Sequence, residues 1–143
     1  MVNSDRDPTR LLADDSLFSN PMELPEAPGK HHTVYRAEEG ARCFNLHSYI
    51  TRYEDKFWAC WSSGWTDEEG SGQCIVYSMS DDGYSWTDPG VLTEPEPDGQ
   101  GGEGVCISRG IFVQDGALTA HVAHLDRLNP GVGWEGLRLA RYR

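Results

Sequence analysis

At 143 residues, with 38% hydrophobic and 24% charged side chains, the chain has the composition of one soluble globular domain rather than of a disordered segment. Twelve Lys and Arg against 23 Asp and Glu give a formal charge of −11, which repels a phosphate backbone and argues against nucleic acid as a partner. No apolar run approaches the length of a membrane span, so no membrane partner is expected.

The first 33 residues read as a loosely ordered lead-in. Pro8, Pro21, Pro25 and Pro28 lie among charges, Leu11-Leu12 and Leu17-Phe18 are the apolar anchors, and one short helical turn is predicted over 10–13. Met1 to Asp7 lacks the basic start and apolar segment of a secretory signal. His31-His32 carries no further ligand pattern.

From residue 34 the pattern changes to short β-prone runs separated by glycine and acidic turns, with no sustained helical period. Four strands are predicted at 42–50, 56–62, 73–80 and 86–93, within a first unit of about 42–95. After the linker "EPEPDGQGGEG" a second series follows at 106–113, 117–125 and 137–142, within about 104–143. The two series start roughly sixty residues apart, long for one four-stranded propeller blade but within loop variation. The second has three strands and reaches Arg143 inside a β-prone run, so a chain cut within a blade is expected, with unpaired strand edges that favour self-association.

Cys43, Cys60, Cys74 and Cys106 have none of the paired close spacings that zinc sites use. Cys60 and Cys74 sit in apolar strand-like runs, so buried free thiols are expected ahead of disulfides.

The turn "YSMSDDGYSWTDPG", 77–90, carries the clearest local signal. Asp81 and Asp82 supply acceptors for backbone N–H groups, Gly83 tolerates positive φ, and Trp86 follows three residues later. This stretch resembles the Asp-box, or BNR repeat, of the sialidase-like β-propellers, with the pattern S-x-D-x-G-x-x-W. Asp81, Gly83 and Trp86 match, and Met79 stands at the serine position. The resemblance implies a structural hairpin between the two outer strands of a blade, its aspartate accepting backbone hydrogen bonds and its tryptophan packed. It also implies an all-β fold, a partial sialidase-like propeller with one complete four-stranded blade and most of a second.

Asn45, His47, Trp61-Ser62, Glu68-Glu69 and Gly72-Gln73, followed by the turn, are similar to a group of secreted or periplasmic propellers that act on polysaccharides. That implies cleavage of a terminal sugar from an acidic glycan, by a glycoside hydrolase or a lyase. The alternative is a non-catalytic glycan-binding or scaffold propeller. Sialidase proper uses an arginine triad, for which Arg36 is the candidate by position, but the Arg-Ile-Pro segment that usually carries it is absent. In the broader group some rhamnosidases and lyases use histidine instead. The resemblance calls for no cofactor.

Within this frame His47 lies on the innermost strand of the first blade, where an imidazole serves as general base or acid, or is a hydrogen-bonded strand histidine. Asp67, Glu68 and Glu69 follow the second strand, and Glu68 is the catalytic candidate among them; the alternative is a solvated acidic loop. Gln73 either binds sugar hydroxyls or pairs with backbone. Trp61 or Trp65 is expected to stack on a sugar face, with Trp58 in packing. Arg109, on the inner strand of the second blade, suits a uronate or sialate carboxylate, or else pairs with the acidic loop. His47, Arg109 and Glu68 are expected to converge on one mouth. His121 and His124 stand at odd separation and point to opposite faces of a strand, so no metal is expected between them.

Overall fold

The computed structural model describes residues 29–129 and 133–143. The chain divides into two units, Met1–His31 and His32–Arg143. Of the first, residues 29–31 are described and carry no regular structure, and the helical turn expected over 10–13 lies outside the described residues. Among the described residues there is no helix.

The described residues of the second unit form nine strands: β1 (Phe44–Tyr53), β2 (Lys56–Gly64), β3 (Cys74–Ser80), β4 (Gly90–Thr93), β5 (Val105–Gln114), β6 (Ala117–Leu125), β7 (Arg127–Asn129), β8 (Gly133–Glu135) and β9 (Arg138–Tyr142). They form an antiparallel sheet in the order β1-β2-β3-β4, a second in the order β5-β6-β9, and the small β7-β8 pair. These are one four-stranded propeller blade and three strands of a second, with β1 and β5 as the strands that lie against each other. The β7-β8 pair, inserted between β6 and β9, was not anticipated by the strand rhythm of the sequence. The fourth strand is shorter than predicted, beginning at Gly90 rather than at residue 86. Pro89 lacks the N–H that a ladder needs, and Thr87 is held instead by its own contacts to Ser78 and Met79.

β2 is buried on both faces, and the period-2 alternation of its side chains explains how. Trp58 and Cys60 point toward the second sheet and pack with Ile75, Cys106, Ile111, Ala120 and Val122. Ala59 and Trp61 point the other way and pack with Cys74 and Val76, under Val34, Tyr35 and Trp86. A third cluster, Val105, Ile107, Ala123 and Leu125, covers the far side of the second sheet.

Both inner strands carry an irregularity near the same level. In β1 the register passes from Leu46↔Ser62 to Tyr49↔Cys60, so His47 and Ser48 together oppose one residue. In β5 it passes from Ser108↔Val122 to Gly110↔His121, leaving Arg109 as the extra residue. An extra residue reverses the in–out phase of everything after it. That is why Ile111 shares a cluster with Cys106 although five residues, an odd number, separate them.

Candidate functional site

The two irregularities present His47 and Arg109. His47 has φ 54, a left-handed conformation that a non-glycine residue adopts at a cost of about 1–3 kcal/mol. Its Nδ1 is 3.4 Å from Ser62 Oγ and its Nε2 is 3.4 Å from Glu68 Oε1. Arg109 is exposed on the neighbouring strand.

Glu68 comes from the loop between β2 and β3, which is tied to the second blade at several points. Gly72 N–H donates to Gly104 O at 3.0 Å, and Ser71 Oγ–H donates to Glu103 O at 2.8 Å. At Gly72 φ is 80, a left-handed conformation that favours glycine, and a Cβ there would have to displace the end of the Glu103 side chain.

Glu69 joins the site although Glu68 is the carboxylate singled out from sequence. It is partly buried, with φ 60 and its N–H on Gln73 Oε1 at 3.0 Å. Burial pushes its carboxyl upward from the ordinary value and the Glu68 charge adds to this, while Arg109 and His47 oppose it. The side chains of Arg109 and His47 both lie near this one carboxylate. The pair Glu68-Glu69 is visible in the sequence, whereas the loop conformation that buries the second of them is not.

Three expectations are corrected. For Gln73 the sugar-binding alternative gives way to backbone pairing, because it is fully buried and both ends of its carboxamide are used: Oε1 accepts from the Glu69 N–H, and Nε2 donates to Cys106 O at 2.8 Å. Trp61 is 4% exposed, stacks on Tyr35 at 5.8 Å between ring centroids and donates its indole N–H to Asn45 Oδ1 at 2.9 Å. Neither face of it is left for a sugar, because β2 is covered on that side too. The third concerns the turn after β3. Its backbone N–H groups are taken by Asp82 Oδ1, which accepts from Tyr84 and Ser85 at 2.8 Å each, and by Ser80 Oγ, which accepts from Gly83 at 2.8 Å. Asp81 instead pairs with Lys56. The acceptor lies one residue later than expected, because Ser80 and Asp82 are the two side chains that fold back over the turn.

Gly83 has φ 77 and Trp86 packs on the Ala59–Trp61–Cys74–Val76 cluster, its indole N–H donating to Gly83 O at 3.2 Å. Trp65 is exposed, with the Arg42 guanidinium 5.2 Å from its ring centroid. Trp58 stacks on Tyr77. Arg36 is exposed in the coil before β1 and forms no ion pair among the described residues. Among the described residues no group of three or more His, Cys, Asp or Glu is arranged to hold a metal ion. His121 packs on Phe112, whereas His124 is buried against Cys106 and Tyr142.

The fold is thus that of sialidase-like propeller blades. Among solved structures the chain is similar to a sialidase, with a TM-score of 0.53 at 15% sequence identity, over 67% of this chain and 10% of that one. The chain spans about a tenth of that protein's length. No family model and no curated protein matches it.

Proposed function

We propose that this chain is part of a carbohydrate-active propeller that binds an acidic glycan at the His47 end of its inner strands and cleaves a terminal sugar there, by hydrolysis or elimination. The observation that carries this reading is the meeting of His47 and Glu68 at 3.4 Å beside the charge of Arg109, contributed by a different blade. Carboxylates held in different electrostatic settings are the means by which sugar-cleaving sites divide acid and base work. Glu69, drawn upward by burial, is suited to hold a proton longer than an exposed carboxylate. Arg109 suits the substrate carboxylate, and Trp65 offers an exposed ring at the start of the Glu68 loop for stacking. In the same reading the turn over residues 80–86 is an Asp-box one residue shorter than the usual pattern, with Ser80 and Asp82 in the serine and aspartate places.

The partners are the glycan and, through the edge of β9 that is unpaired among the described residues and bears exposed Leu139, a second copy or a further strand. The test is titration of the chain with oligogalacturonate and with a neutral oligosaccharide of equal length, followed by product analysis. Binding of the acidic ligand alone, lost in Arg109→Leu, supports the reading. Binding without product favours a glycan-binding propeller, and equal response to both ligands removes the role of Arg109.

A further inference from the structure

Ser62 is fully buried on β2, opposite Leu46 and immediately before the β1 irregularity. Its hydroxyl oxygen accepts the backbone N–H of Ser108 at 2.9 Å, across the two sheets, and the same oxygen is 3.4 Å from His47 Nδ1. Ser108 is the residue before Arg109. One hydroxyl therefore touches the ring of one site residue and the backbone leading to another.

A hydroxyl has one proton to donate and two lone pairs. With one lone pair engaged by Ser108 N–H, the proton of Ser62 is free for Nδ1. The opposite assignment, Nδ1–H donating to Ser62, would leave a neutral imidazole facing the Glu68 carboxylate with a lone pair on Nε2. Two acceptors 3.4 Å apart repel, so the neutral ring carries its hydrogen on Nε2.

We infer that Ser62 is a positioning residue that holds His47 in the Nε2–H tautomer, so that His47 acts on a ligand through Glu68, whose carboxylate it orients. This deepens the reading of the site given above and rests on it for the ligand. Gln73 plays the parallel part for Glu69, donating to Cys106 O on the same strand two residues before Ser108. Each of the two carboxylates is thereby indexed, through one buried polar side chain of the first blade, to the strand that bears Arg109. Glu68, rather than the imidazole, then faces the sugar hydroxyl or water.

The experiment is nitrogen-15 NMR of the imidazole rings at pH 9, where imidazoles are neutral, with the His47 signals assigned by His47→Gln. In the wild-type chain the Nδ1 resonance is expected at an acceptor position and Nε2 at a protonated one. Ser62→Ala should move the Nδ1 resonance, Ser62→Thr should restore it, and Ser78→Ala, which removes a buried hydroxyl bound to Thr87 instead, should leave it in place. A proton on Nδ1 in the wild-type chain overturns the inference without recourse to any variant, as does an Nδ1 resonance unmoved in folded Ser62→Ala. Oligogalacturonate added to the same sample separates the two readings: no perturbation near Glu68 removes the glycan site, while the tautomer result stands by itself.

Discussion

Gln73 and Cys106 are joined by a double hydrogen bond between the blades, the side-chain Nε2–H donating to Cys106 O and the Cys106 N–H donating to Gln73 O, both at 2.8 Å. This pairing extends the antiparallel logic of a sheet across the gap between two sheets, using one side chain where a strand would use backbone. Gln73→Leu keeps the size and deletes the polar end, leaving the Cys106 carbonyl and the Glu69 N–H without their partners. Orphaning the buried Cys106 carbonyl costs about 1–3 kcal/mol, and the half-buried Glu69 N–H adds less. Urea denaturation should register a loss in that range or above, and a variant within 0.5 kcal/mol of wild type, on the order of a typical surface substitution, would show that the clasp is replaceable by solvent.

In the turn over 80–86, Asp82 and Asp81 are expected to differ sharply although they are adjacent and both exposed. The N–H groups of Ser85 and then Tyr84 hold the Asp82 carboxyl below its ordinary value. A carboxylate depressed in the folded state stabilises above its unfolded pKa, and the contribution is lost as pH falls through the folded value. The Tm gap between wild type and Asp82→Ala should therefore be full at neutral pH and close below about pH 4. Asp81→Ala removes an exposed pair with Lys56 and should lower Tm less.

Trp86 tests the packing half of the same turn. It is partly buried against the Trp61 cluster, so Trp86→Ala should cost about 2 kcal/mol in chemical denaturation, below the range for a wholly buried aromatic. A loss under 0.5 kcal/mol would mean that the indole contributes little to the blade.

Much of this was legible in residue patterns. The β-prone runs at 56–62 and 73–80 mark two strands whose ends agree with the structure to within two residues, and the Asp-Gly turn follows the second of them. The odd separation of His121 and His124 placed them on opposite faces. Trp61 was misread because a strand with an aromatic near its end looks the same whether its outer face meets solvent or, as here, a returning segment bearing Tyr35. Gln73 stands between two readings for a related reason, since a glutamine beside glycine signals a polar contact but not whether its partner is ligand or, as here, backbone. The irregularities at His47 and Arg109 leave no composition cue except Gly110, whose φ of 140 suits glycine.

Thiol chemistry offers a check on the packing that needs no ligand. Cys60, Cys74 and Cys106 are buried, and Cys43 is exposed with its thiol 3.1 Å from Trp65 O. Burial pushes the Cys106 thiol to about 12 and moves Cys60 and Cys74 in the same direction. Because the thiolate is the reactive form, alkylation of the native chain at pH 8 should modify one cysteine, and all four should react in denaturant. Mass mapping that finds Cys106 modified in the native chain would show that the contact between the sheets opens readily.

The other buried titratable group links the two blades at their outer side. His124 Nδ1 lies 3.3 Å from Cys106 Sγ, its Nε2 is 2.9 Å from Tyr142 Oη, and that hydroxyl is 3.1 Å from Thr93 Oγ1 on β4. Burial lowers the His124 pKa from its ordinary value, with Glu96 opposing and Arg138 adding to the effect. The neutral ring is thus favoured by the fold. For a base depressed in the folded state, the stabilising contribution is present above the unfolded pKa, near 6.5, and is lost as pH falls from there to the folded value, where the unfolded chain binds the extra proton. Tm should fall as pH drops below about 6.5 in the wild-type chain and change less over that interval in His124→Gln, which retains a polar side chain but cannot titrate. Carboxylates titrate mostly below this interval, so the difference between the two melting profiles isolates the histidine. Parallel profiles would place the proton uptake elsewhere and remove His124 from the contact between the blades as a pH-dependent element.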